Sequence, residues 1–312
     1  MISVSLMKKK SVKTIIVDVL KIFRNSFRNF GTNRPVQLAG TTAYFAIFST
    51  APIIIIIISV FGYLTGNSAM RGKVFEELEQ LIGSSSAKLL QEAISNYKVI
   101  ENSTVGTIIG IVVFLVSATA LFSELQASIN YIWRVKVKST LKVSLLNLLR
   151  TRIFSFAVIL GLGILLLVSM IIDASIGVLR DFLTTRFSLH FVILAQTINL
   201  IFSVGIVAVI TAFVYRYLPD VHVNWSAAWF GAAVTSILFA IGRLLIGVML
   251  RNSDMGVVYG AAGSIVILLV WVYLVSLIFY FGVELTHQYS LYFGHDNLPR
   301  NYAGTFEIHS VE

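Results

Sequence analysis

The stretch Ala39–Gly66, AGTTAYFAIFSTAPIIIIIISVFGYLTG, carries no charged residue. It is long enough to cross a bilayer, which takes about 20 apolar residues. Its halves differ. Ala39, Ala43, Ala46 and Thr50 recur at helical spacing and make one thin face, whereas 53–58 is unbroken isoleucine. Pro52 stands between them. Proline has no backbone N–H, and its ring crowds the carbonyl four residues back. The carbonyl of Phe48 is therefore expected to be freed at membrane depth, where it must meet protein or water. A helix interrupted there and thin on one face is one way transporters build a binding site. It is equally the form of a kinked packing helix.

The rest of the chain repeats this chemistry. Of 312 residues, 57% are hydrophobic and 12% charged, with a mean hydropathy of +0.85, which places the chain among polytopic helical membrane proteins. The alternating ten-residue strands of a membrane barrel are absent. The reading is an all-α protein with six transmembrane helices. They are Ala39–Gly66, Val105–Ser123, Ile153–Ile172, Phe191–Val214, Trp225–Leu250 and Tyr259–Leu285. Three regions follow: a basic amphipathic segment over 1–38, a membrane domain over 39–285 and a polar tail over 286–312, expected to be partly disordered.

Before the first span, Val12, Ile15, Ile16, Val19, Leu20, Phe23, Phe27 and Phe30 are spaced as one helix face among lysines and arginines. Such a helix lies in the interface against anionic lipid, or packs on the ends of the bundle. Its apolar residues are spaced rather than continuous, so no signal-peptide core is expected. Between spans 1 and 2, residues 67–104 hold two amphipathic patterns broken at Gly83-Ser84-Ser85-Ser86. They predict an extracytoplasmic helical hairpin. The bases of 8–34 and 134–152 put both termini in the cytoplasm by the positive-inside rule.

The net charge of +9 sits beside the spans, and the basic residues are not interleaved with a stacking platform. No nucleic-acid partner is expected. His190, His222, His287, His295 and His309 form no metal-ligand spacing, and there is no cysteine. No metal, cofactor or catalytic set is expected.

Several stretches resemble the YihY/virulence factor BrkB family of bacterial inner-membrane proteins. They are AYFAIFSTAPIIIIIISVFG, SELQASINYIW, YRYLPDVHVNW, WFGAAVTSILFAIGRLLIG and YGAAGSIVILLVWVYLVSLIFYFGVEL, in family order from about Gly40 to Leu285. Where the family often has alanine before the glutamate of the sixth span, this chain has Val283. The resemblance implies six spans with both ends inside. It implies little about activity: the family is linked to envelope phenotypes and is often suspected of transport, and some members once carried a ribonuclease label now regarded as mistaken.

The residues that point to function are ionisable groups at membrane depth, which are costly and often functional. Glu124 and Glu284 fall near the cytoplasmic ends of spans 2 and 6, and Arg243 near the outer boundary in span 5. Arg243 is expected to pair with Asp173 or Asp254 rather than Glu284. Glu124 and Glu284 are expected to meet Arg216, Arg150 or Arg152. Tyr273, Ser276, Tyr280 and Glu284 step along one face of span 6. With Phe48, Ser49, Thr50 and Pro52 they form the candidate wall of a path for a small polar solute or lipid headgroup. The leading function is thus a transporter, exporter or lipid-handling protein. The alternative is a non-transporting envelope scaffold that docks a partner through the hairpin. An intramembrane enzyme is the weakest reading, because no nucleophile–base pair is in sight.

Overall fold

The computed structural model describes residues 12–100, 104–137, 149, 152–154, 156–168, 170–171, 190–251, 263–294 and 297–306. Within them the regular structure is helical apart from one short strand pair, with turns and an isolated bridge over 218–224 and 297–302. The helices are α1 (Val12–Thr32), α2 (Pro35–Thr65), α3 (Asn67–Ile82), α4 (Ser84–Ile100) and α5 (Thr104–Ile132), then α6 (Arg152–Val168). After them come α7 (His190–Tyr217), α8 (Trp225–Arg251) and α9 (Gly263–Tyr292). Strand β1 (Val135–Val137) pairs antiparallel with β2 (Ala303–Thr305).

Three described helical segments are long and apolar enough to cross a membrane: Pro35–Thr65, Trp225–Leu245 and Ile265–Tyr292. Their outer faces carry apolar side chains such as Phe48, Ile237, Leu244 and Leu245, all well exposed. Apolar surface of that extent on a helical bundle suits lipid. The packing order is α5–α2–α9–α8–α7. Helix α2 therefore lies between α5 and α9, and α9 between α2 and α8.

The corner into α2 is set by sequence. The residue before a proline is disfavoured in the right-handed helical region. Arg34 takes φ 51°, ψ 50°, and Pro35 opens the helix, where a missing N–H costs nothing. The helix then runs through Pro52 without ending. Near the proline, Ser49 donates to the Phe45 carbonyl at 2.9 Å and Thr50 to the Ala46 carbonyl at 2.6 Å. The thin face is buried at Ala39, Thr42, Ala43, Ala46 and Ser49, and it receives α9 and α5.

Helix α1 packs against α9 and α8. Phe27 and Phe30 meet Phe281 edge-on, and Phe23 meets Phe230. Ile22 is buried beneath them, while Ile16, Val17 and Leu20 stay exposed. Of the two readings of the basic helix, packing on the bundle is thus realised, and its other face remains open.

Helices α3 and α4 turn at Gly66 (φ 90°) and Gly83 (φ 80°), backbone conformations that glycine adopts without strain. They do not stand apart from the bundle. Met70, Val74, Ile82, Leu90 and Ile94 share a core with Ile54, Ile57 and Phe61 of α2 and with Leu268 and Trp271 of α9. Lys73, itself buried, pairs with Glu77 at 3.1 Å and Glu76 at 3.4 Å. A second core lies at the α1 end, around Trp133, Tyr215, Tyr280 and the alanines 227, 228 and 232.

The structure adds two details: α9 continues past Leu285 to Tyr292, and part of the tail, residues 297–306, packs on the fold. Pro299 bridges Val221, and β2 pairs with β1.

Candidate functional site

The α1 end of the bundle gathers buried polar side chains from five elements. Asn33, at the corner between α1 and α2, is 2% exposed, and its Nδ2 donates to Glu284 Oε2 at 2.7 Å. Gln288, one turn further along α9, donates to Glu284 Oε1 at 2.9 Å. Arg134 donates to the Asn33 side-chain carbonyl at 2.6 Å and lies close enough to act on Glu284 electrostatically. Glu284 is 1% exposed, so this lattice replaces water around it. A carboxylate buried beside a spanning bundle without such partners would be costly.

One turn deeper, a run of hydroxyls crosses three helices. Thr42 of α2 and Tyr280 of α9 are 2.5 Å apart. Ser128 of α5 lies beside Tyr280 and donates to Glu124 at 3.1 Å. Glu124 and Ser128 share a face of α5 because residues four apart are neighbours on a helix.

On the next face of α5, Gln126 and Asn130 donate to the carboxylate of Asp220, at 3.0 and 2.7 Å for the shorter contacts. Tyr302 adds a donation at 2.9 Å, and the Asp220 backbone N–H donates back to Asn130. Asp220 is fully buried. It thereby ties the α7–α8 turn, α5 and the C-terminal segment together.

The α8–α9 contact is close because glycines face it. A Cβ on Gly231 would come within 2.7 Å of the Gly282 carbonyl, and a Cβ on Gly282 would collide with the hydroxyls of Thr235 and Tyr215. Those hydroxyls bond each other at 2.9 Å, and Tyr215 also donates to the Phe279 carbonyl at 2.7 Å.

The expected site residues fall as follows. Ser276, Tyr280 and Glu284 are all buried on α9, and Tyr273 is half-buried. Ser276 donates to the Val272 carbonyl of its own helix. Ser49 and Thr50 likewise bond their own helix, and Pro52 is half-buried. The Phe48 side chain is 59% exposed on the outer face of α2, ring against ring with Tyr44. It does not line the α2–α9 seam.

The charge partners also differ from expectation. Glu284 meets Asn33 and Gln288, with Arg134 nearby, rather than Arg216 or Arg152. Arg216 donates to the Val223 carbonyl and stacks on Trp225, and Arg152 is exposed. Arg150 lies outside the described residues, as do Asp173 and Asp254, the expected partners of Arg243. Thr235 sits level with Gly282, and Arg243 lies two helical turns beyond it, about 12 Å along α8. It is thus far from the level of Glu284.

Asn33, Thr42, Arg134 and Asp220 were not singled out from the sequence. The i, i+4 pairs Glu124/Ser128 and Gln126/Asn130 were a signal that polar faces continue past the end of span 2. Nothing local marks Asn33. Among the described residues no three His, Cys, Asp or Glu side chains gather as metal ligands.

These features define an integral membrane protein: a helical bundle with lipid-facing apolar helices and a buried polar lattice at one end. A family model described as Virulence factor BrkB matches residues 26–302, and the chain belongs to that family. It is 27% identical over 308 residues to a protein named UPF0761 membrane protein from Pseudoalteromonas atlantica, covering 93% of this chain and 95% of the relative. A protein of the same name from Psychromonas ingrahamii is 29% identical over 253 residues, covering 80% of each chain. One from Vibrio vulnificus is 27% identical over 258 residues, covering 80% of this chain and 75% of the relative. No solved structure matches.

Proposed function

We propose that this protein is a transporter, exporter or lipid-handling protein of the bacterial inner membrane. It passes a small polar solute or lipid headgroup along the seam of α2, α5 and α9. The observation that carries this reading is the pair of contacts Thr42–Tyr280 and Ser128–Glu124, which place buried hydroxyls of those three helices beside one another. Simple helix packing in lipid is served by small residues and isolated hydrogen bonds. Hydroxyls beside a carboxylate, with Glu284 one turn away, offer exchangeable partners to a hydroxylated or phosphorylated solute.

In this reading the α1 end faces the cytoplasm, because Lys21, Arg24, Arg28, Arg34, Arg134 and Lys136 cluster there. The open face of α1, with Leu20 and Phe27 exposed beside Arg24 and Arg28, rests on anionic lipid. The α3–α4 hairpin then lies on the extracytoplasmic side. No catalytic step or cofactor belongs to the reading.

The test is flux in proteoliposomes across a panel of polar solutes and fluorescent lipids, for wild type, Glu284→Gln and Tyr280→Phe. Both variants should slow transport with the fold intact. If wild type moves nothing in the panel, the scaffold reading replaces this one. The exposed charges Glu76, Glu79, Lys88 and Glu92 on the hairpin would be its docking face.

A further inference from the structure

The turn between α7 and α8 and the C-terminal segment enclose a cleft of about 520 Å³, lined by Arg216, His222, Arg300, Asn224, Tyr217 and Trp225. Every ionisable side chain on that wall except the tyrosine is a base. The sequence separates Arg216 from Arg300 widely. The Val221–Pro299 bridge and the bond from the His222 backbone N–H to the Leu298 carbonyl at 3.1 Å bring them together.

The cleft is held in shape. The Arg216 guanidinium lies 4.7 Å from the Trp225 ring centre and 5.7 Å from that of Tyr217. It also donates to the Val223 carbonyl. Its Nε has no hydrogen-bond partner among the described residues. Arg300 is anchored through its backbone N–H to the Asp220 carbonyl at 2.9 Å. The Asp220 side chain accepts from Gln126, Asn130 and Tyr302 behind the turn. Asn224 caps α8, accepting from the Ser226 and Ala228 N–H groups, so the positive end of that helix also faces this region.

The surroundings point to lipid. Phe213, Tyr217, Trp225 and Trp229 form a band of ring contacts beside the cleft. Phe213, Tyr217 and Trp229 are exposed by 40–45%. Aromatic rings of this kind sit at the headgroup level. Basic clefts between helices at that level accept lipid phosphates, and the arginine fork matches a phosphate's oxygens.

We propose that this cleft binds the phosphate headgroup of an anionic phospholipid, held by Arg216 and Arg300 with Trp225 and Tyr217 against its glycerol and upper acyl chain. The site is separate from the α2–α5–α9 seam and stands whether or not the protein transports.

The experiment uses the full chain in nanodiscs of phosphatidylcholine mixed with phosphatidylglycerol, one or the other carrying brominated acyl chains. Bromine quenches only nearby indoles, and subtracting a Trp225→Phe variant isolates emission at the cleft. Wild type should prefer phosphatidylglycerol at Trp225, and Arg216→Gln or Arg300→Gln should each lower that preference about fivefold. Lys136→Gln in β1, an exposed base outside the cleft, should leave it in place. Thermal melts confirm folding; if Arg216→Gln unfolds, Arg300→Gln decides. Equal quenching by the two lipids in wild type, or an unchanged preference in Arg300→Gln, overturns the proposal. So does loss of the preference in Lys136→Gln, which would mean bulk surface charge. If excess inorganic phosphate erases it, the cleft takes free phosphate instead of lipid, and the proposal falls.

Discussion

Asn33 hydrogen-bonds Glu284 at 2.7 Å across 251 positions of sequence. The bond closes the bundle at one end, because it links the corner before the first membrane helix to the last one. Arg134, following α5, holds the other end of the same amide. Asn33→Ala would leave a buried carboxylate and a guanidinium each short of a partner. The expected loss is about 1–3 kcal/mol, read as a lower melting temperature in detergent. A cycle with Glu284→Gln should show coupling of about 0.5–3 kcal/mol. Strictly additive losses would mean that the pair does not act as a unit.

The α8–α9 contact depends on absent side chains. Gly282→Ala should destabilise by about 1–3 kcal/mol, since the new methyl meets Thr235 and Tyr215 in a filled contact. Gly205→Ala on α7 is the control: nothing lies within 4 Å of its Cβ, and alanine suits a helix better than glycine. Its melting temperature should hold or rise. Similar behaviour of the two variants would contradict the close approach of α8 and α9.

Tyr280 of α9 meets Thr42 of α2 through its hydroxyl. Tyr280→Phe keeps the ring and strands Thr42, while Ser128 keeps its bond to Glu124. A stability loss of about 0.5–1.5 kcal/mol is expected. Flux separates the roles: a merely structural hydroxyl leaves the transport rate per folded molecule untouched, whereas a path residue lowers it.

Pro52 lies inside a helix that continues past it. Pro52→Ala restores an N–H able to bond the Phe48 carbonyl and should leave the fold intact. If the interruption shapes the seam, flux falls while the melting temperature holds. Wild-type flux in this variant would assign Pro52 to packing alone.

Orientation is checked with single cysteines, for which the chain offers no background. An impermeant maleimide added to intact cells should label position 84, at the tip between α3 and α4, and spare position 136 in β1. The reverse pattern would invert the proposed topology.

Much of the architecture was written in the sequence because lipid imposes simple demands. An uncharged run such as Ala39–Gly66 has to become a helix, since a bilayer leaves no other way to satisfy its backbone. The thin face of Ala39, Ala43 and Ala46 announced a close neighbour. Ser276, Tyr280 and Glu284 were placed on one face of α9 by periodicity alone, and burial followed. The break at Gly83-Ser84-Ser85-Ser86 marked the corner between α3 and α4 through backbone sterics. What the sequence withheld was the identity of partners. Lipid-facing and core-facing residues are equally apolar here, so nothing local told Phe48, which points outward, from Ile54, which points in. Polar partners are chosen by which helices pack side by side, and that depends on surface fit between segments distant in sequence. Asn33 therefore reached Glu284, Gln126 and Tyr302 reached Asp220, and a tail read as loose laid Arg300 beside Arg216. Helix formation is a local consequence of solvent. The polar lattice and the basic cleft exist only once the helices and the C-terminal strand have docked.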